Sequence, residues 1–162
     1  MAVEAEVLNE LHRLRSRMPQ LTGSLAASVD GLVLAQDMPD GEPEGLAALT
    51  AAALGVGRRM VDVATRGEFR EMIVRGAGGY LATYAAGPSA ILTLLADDRT
   101  NVGRLHLEGR RSGARIAELA ATRFAGERPA VTRGQPVPPP TARGRILGAL
   151  PVRIPPQSRH QP

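Results

Sequence analysis

A chain of 162 residues is long enough for one domain with its own core, and this one has no cysteine and no lysine, its 20 basic residues all being arginine. Disulfides, thiolate catalysis, cysteine-held metals, lysine Schiff bases and the lysine-dependent P-loop are thereby excluded. The net charge of +4 is unevenly placed: residues 1–123 carry 14 arginines against 15 carboxylates, whereas 124–162 carry six arginines against Glu127 alone.

Met1 to Glu10 is acidic and lacks the pattern of an export signal, and no apolar run is long enough to span a bilayer, so a cytoplasmic location is the expectation. Val7, Leu8, Leu11, Leu14 and Met18 recur at helical spacing opposite Glu4, Glu10, Arg13 and Arg17, predicting an amphipathic helix from about Ala5 to Met18, stopped at Pro19. Alternation then takes over from Gly23 to Asp37. Asp30-Gly31 predicts a two-residue hairpin turn with positive φ at both positions. A loop over residues 38–45 leads into a second helix. Residues 46–57 of that helix carry no charge. At about 18 Å it is too short to cross a membrane. A helix on a soluble domain normally shows a polar outer face, so this one predicts burial by a second protein surface. The expectation is that Leu46, Leu49, Leu54 and Val56 pack on the chain's own sheet, while small Ala47, Ala51, Ala52, Gly55 and Gly57 admit a partner helix.

Three more strands read as Phe69–Arg75, Gly79–Ala86 and Ser89–Ala96, joined by the Gly76–Gly79 cluster and by Gly87-Pro88. The last is apolar on both faces and predicts a central strand. A third helix follows the cap candidates Asp97 to Asn101 and runs to about Arg123, with Val102, Leu105, Ser112, Ile116 and Leu119 inward. Gly109 and Gly113 weaken its middle or let it pack closely on the first helix. Residues 124–162 hold nine of the 13 prolines and read as an extended or disordered basic tail, giving two parts, 1–123 and 124–162.

Catalytic groupings do not assemble in this order. His12, His106 and His160 lack ligand spacing, Ser89 lacks a nucleophile elbow, and Asp97-Asp98 has no further acidic ligands, so no cofactor or metal is expected. The Gly76–Gly79 cluster joins strands and lacks the helix N-terminus that holds a phosphate. Tyr80 and Tyr84 share one face of a strand, where packing is expected.

The order helix, hairpin, helix, three-strand meander, helix resembles the roadblock/dynein light chain family within the longin-like group, over about residues 5–122. Ser28-Val-Asp30-Gly31-Leu-Val-Leu34, Gly78-Gly79-Tyr80-Leu81, Leu94-Leu-Ala-Asp97 and Asn101-Val-Gly103 are similar to stretches of its bacterial members. The resemblance implies an α+β fold, α-β-β-α-β-β-β-α, with a five-stranded antiparallel sheet and helices on both faces. It also implies a homodimer made by the second helices and third strands, acting as a non-enzymatic platform for a Ras-like small GTPase, with or without stimulating hydrolysis, beside other proteins of a conservon-type operon. The surface for a dimer or partner is then placed at Leu46, Ala47, Thr50, Ala51, Leu54, Gly55, Arg58 and Arg59, with Arg70, Met72 and Val74 on the third strand. Arg70, Glu71 and Arg75 would guard or complement the pairing edge. Two other readings stay open: a small-ligand sensor of the PAS or GAF type, and a dimeric domain presenting its basic tail to an anionic membrane or nucleic acid.

Overall fold

A computed structural model describes residues 2–126. The chain runs α1 (Ala2–Arg17), β1 (Leu21–Ser28), β2 (Val33–Asp37), α2 (Pro43–Val63), β3 (Glu71–Gly76), β4 (Gly79–Ala86), β5 (Ala90–Ala96) and α3 (Val102–Gly126). The strands form one antiparallel sheet in the order β2-β1-β5-β4-β3. The α+β class and element order expected from sequence therefore stand, and β5 is the central strand. α3 runs to Gly126, three residues into the tail expected from 124, and the rest of the tail expectations, for 127–162, lie outside the described residues.

Period-two alternation sorts the sheet into two faces. Ala26, Leu92 and Tyr84 are register partners on three neighbouring strands and join Val7, Leu11 and Leu14 of α1 and Leu105 and Ile116 of α3 in the main core. On the other face Leu25 and Ala27 meet Ala47, while Ile91 meets Leu54 and Phe69. Helices thus cover both faces, α1 with α3 on one and α2 on the other. That is why β1 and β5 are buried on both sides.

Several local expectations are corrected. α1 begins three residues earlier than its apolar stripe suggests. Glu10, expected outside, is 6% exposed. It accepts from Ser112 Oγ at 2.7 Å and pairs with Arg17 at 3.1 Å, and this polar network between α1 and α3 satisfies the buried charge. The first hairpin turns through four residues, Val29 to Leu32, and only Gly31 takes a positive φ, of 84°. Ser28 closes the loop: its N–H donates to Leu32 O at 2.8 Å, and its Oγ accepts from the Leu32 N–H at 3.1 Å. Pro43 opens α2 at a position where its missing N–H costs no helical bond. Asn101 caps α3, its Oδ1 accepting from the Arg104 N–H at 2.9 Å. Gly109 and Gly113 make room for β4, not α1: a Cβ on Gly109 would lie 2.5 Å from the ring of Tyr84.

Candidate interaction surface

α2 sorts its residues into three sectors. Ala47, Thr50, Leu54 and Gly57 face the sheet and are buried, with Thr50 Oγ1 donating to Ala47 O at 3.1 Å. A second seam stands one position earlier, at Leu46, Leu49, Ala53, Val56, Met60 and Val63. Its alternating three- and four-residue spacing keeps one line along the helix, rotated about 100° from the buried seam. Leu49, Val56, Met60 and Val63 are between 61% and 70% exposed. The third sector, with Ala52, Gly55, Arg58, Arg59 and Asp62, is exposed and mostly small or charged.

This corrects the faces expected for the charge-free stretch. Leu49 and Val56 point outward, Ala47 and Gly57 inward, and Leu46 and Ala51 sit half-buried at the margins. The physical reason is proximity of the helix to its own sheet. A Cβ on Gly57 would lie 2.5 Å from the Phe69 ring, and one on Gly31 of the first hairpin would lie 3.1 Å from the backbone of Ala48. At Ala47 and Gly57 small residues serve the chain's own packing, while Leu49, Val56, Met60 and Val63 are left outside. The seam was legible in the three-four spacing of 46, 49, 53, 56, 60 and 63, but absence of charge alone cannot tell one side of a helix from another.

One of the two sheet edges is β3, whose outer side has no strand beside it among the described residues. Met72 packs on the α2 side with Leu54, Phe69 and Ile91; Val74, two residues on, lies on the same side and is 51% exposed. Met60, at the end of the outer seam of α2, and Met72 line one cleft. On the opposite face Glu71 is gripped by both forks of Arg110, Nε at 3.1 Å and Nη2 on the other oxygen. Those bonds hold the Glu71 carboxyl below its ordinary range against the opposing effect of burial. Tyr84 OH donates to Leu105 O at 3.2 Å and lies 3.3 Å from His106 Nδ1, and burial pushes its phenol above the ordinary value. Arg75, next to Val74, lies with its guanidinium 5.4 Å from the centre of the Tyr80 ring.

Of the other residues named from sequence, Arg58, Arg59 and Arg70 are all exposed around the end of α2 and the start of β3. Arg58 and Arg70 come together on a cleft of about 680 Å³, with Val61, Phe69 and Pro88 in its walls. Phe69, which sequence reading did not single out, lines both this cleft and a second of about 630 Å³ beside Met60, Arg66 and Met72. Among the described residues no three His, Asp or Glu side chains are placed to hold a metal, and no helix is long and apolar enough to cross a membrane.

The fold recurs in known proteins. The gliding protein MglB of Thermus thermophilus shares the fold at a TM-score of 0.68 and 23% identity, over 75% of this chain and 93% of that one. A Roadblock/LC7 domain from Streptomyces avermitilis matches with a TM-score of 0.63 and 22% identity, over 73% of this chain and 97% of that one. Two uncharacterized proteins of Methanocaldococcus jannaschii are each 28% identical over 114 residues, which is 70% of this chain and 96% of theirs. Residues 7–96, from the buried stripe of α1 to the end of the central strand, match the Roadblock/LC7 domain, and the chain belongs to that family.

Proposed function

We propose that this chain is a non-enzymatic regulator that pairs with a second copy of itself and holds a Ras-like small GTPase. Membership of the Roadblock/LC7 family supports a regulatory role. The observation that carries the pairing is the outer seam of α2. Leu49, Val56, Met60 and Val63 form a line spanning about 21 Å that nothing in the described chain covers. Met60 of that seam shares a cleft with Met72 of β3, whose free edge also carries Val74. Two copies related by a two-fold axis would bury both seams and join two open edges, removing an aggregation hazard at the same time. Gly55, Arg58, Arg59 and Arg70 then rim the paired helices, where a partner protein would meet them.

Native mass spectrometry of the full chain tests the pairing, and Val56→Asp is the deciding variant. Its side chain is exposed in the single chain, so the fold persists while a buried, unpaired charge breaks the pair. A dimer that survives this change with undiminished affinity would remove the α2 seam from the interface. For the partner, capture from native lysate with a GTP analogue or GDP present should recover a small GTPase in a nucleotide-dependent way.

A further inference from the structure

Backbone alternation decides which groups of β3 face its open edge. The Ala85 N–H donates to Arg70 O at 2.9 Å, and the same register continues through Met72 with Thr83, Val74 with Leu81 and Gly76 with Gly79. Every second residue of an antiparallel pair bonds across it, so Arg70, Met72, Val74 and Gly76 bond inward to β4, while Glu71, Ile73 and Arg75 turn their N–H and C=O groups outward. The side chains of these three share the face of α1 and α3: Glu71 lies on Arg110, Ile73 packs against the main core, and Arg75 lies over Tyr80. Arg75 is exposed and makes no ion pair with any described residue. The run 71–75, Glu-Met-Ile-Val-Arg, is thus complementary to its own reverse, with an acid and a base at its ends, two apolar residues inside them and Ile73 at the centre.

We infer that β3 joins β3 of a second copy with Ile73 opposite Ile73, and that Glu71 and Arg75 are the residues that select this register and this partner. The inference rests on the self-pairing reading and deepens it. A two-fold axis normal to the sheet sets one residue of the edge strand opposite itself and keeps both α2 helices on one side of the joined sheet. Placed at Ile73, it sets Glu71 of each copy opposite Arg75 of the other, sets Met72 opposite Val74 on the α2 side, and bonds all three outward residues. Placed at Met72, it leaves Arg75 facing Phe69, outside the strand; placed at Val74, it leaves Glu71 facing Ala77 in the turn. At Glu71 or Arg75 it brings like charges directly together, which is destabilising. An edge without this charge order meets either Glu71 or Arg75 unmatched, so the same pair discriminates a second copy from a foreign strand.

The full chain has no cysteine, so a single introduced thiol can pair only with that of another copy. Directly opposite, bonded residues stand ~5.5 Å apart at Cα, within reach of a disulfide, whereas diagonal neighbours at ~7–8 Å are beyond it. With oxidised glutathione, Ile73→Cys should give a covalent dimer on a non-reducing gel. Met72→Cys and Val74→Cys should each fail to do so alone and cross-link when mixed. Arg75→Glu, at an exposed position, should weaken self-association by about tenfold or more at low salt and by less at high salt. Cross-linking by Met72→Cys or Val74→Cys alone would move the two-fold axis and overturn the register, as would a dimer in native mass spectrometry that none of these thiols cross-links. Undiminished affinity in Arg75→Glu would overturn the selecting role of the charges. A single chain in the native mass of the unmodified protein marks the different failure, that of self-pairing itself, and takes this register with it.

Discussion

At the scale of single residues, three glycines of similar sequence context have opposite meanings. Gly57 and Gly109 are each pressed by an aromatic ring, Phe69 and Tyr84, with 2.5 Å left for a Cβ, whereas Gly55 has nothing within 4 Å. Gly57→Ala and Gly109→Ala should each lower stability by ~1–3 kcal/mol through overpacking, while Gly55→Ala should raise it by ~0.5–1 kcal/mol through helix propensity. Urea unfolding of the three variants checks both signs. Glu71 supplies a pH prediction. Its folded-state carboxyl titrates below the ordinary range because Arg110 holds the charged form. Its stabilisation is therefore complete above the unfolded value near ~4.3 and is lost as pH falls through the lower folded value. Melting curves should show the unmodified chain ahead of Glu71→Gln at neutral pH, the gap closing in that acidic window. A gap independent of pH would mean that packing, not charge, distinguishes the two.

Among the elements, α2 is the one whose two seams separate core from surface. Leu54→Ala should cost ~2–5 kcal/mol of folding stability, since its side chain is buried against Phe69 and Ile91, and leave self-association per folded chain intact. Leu49→Asp should do the reverse. The two edge strands differ in the same way. β2 is short, carries a register shift against β1 and ends on Asp37, which pairs with Arg15 at 2.5 Å; β3 pairs with β4 without a shift. A bulge and an end charge discourage further pairing at β2, so added strands belong at β3, and Val74→Lys should weaken self-association. Element types and order could be read from periodicity and turn residues, because burial acts on every helix and strand alike. The facing of α2 could not, because the ring of Phe69 and the hairpin at Gly31 that demand small residues arrive from elsewhere in the sequence. Glu10 was misplaced for a related reason: its partners Arg17 and Ser112 lie on two different helices.

For the molecule as a whole, the proposal requires a species of about twice 17.1 kDa, and Val56→Asp with Val74→Lys should return it to a single chain in light scattering. Its outline was legible because the meander β3-β4-β5 and the hairpin β1-β2 are local, with turns written in Gly31, Gly79 and Gly87. What joins them was not written locally. Ser28 pairs with Ala90 and Leu21 with Ala96, so the strand buried on both faces waits for a partner made much later. At a synthesis rate of ~5–20 residues per second, β1 spends several seconds with one edge bare before β5 exists. Folding after release from the ribosome should likewise be slowed by this one long closure. A strand buried on both faces in the finished protein thus stands without its partner while it is being made, and a chaperone that binds nascent chains would shield Leu21–Ser28 during that interval.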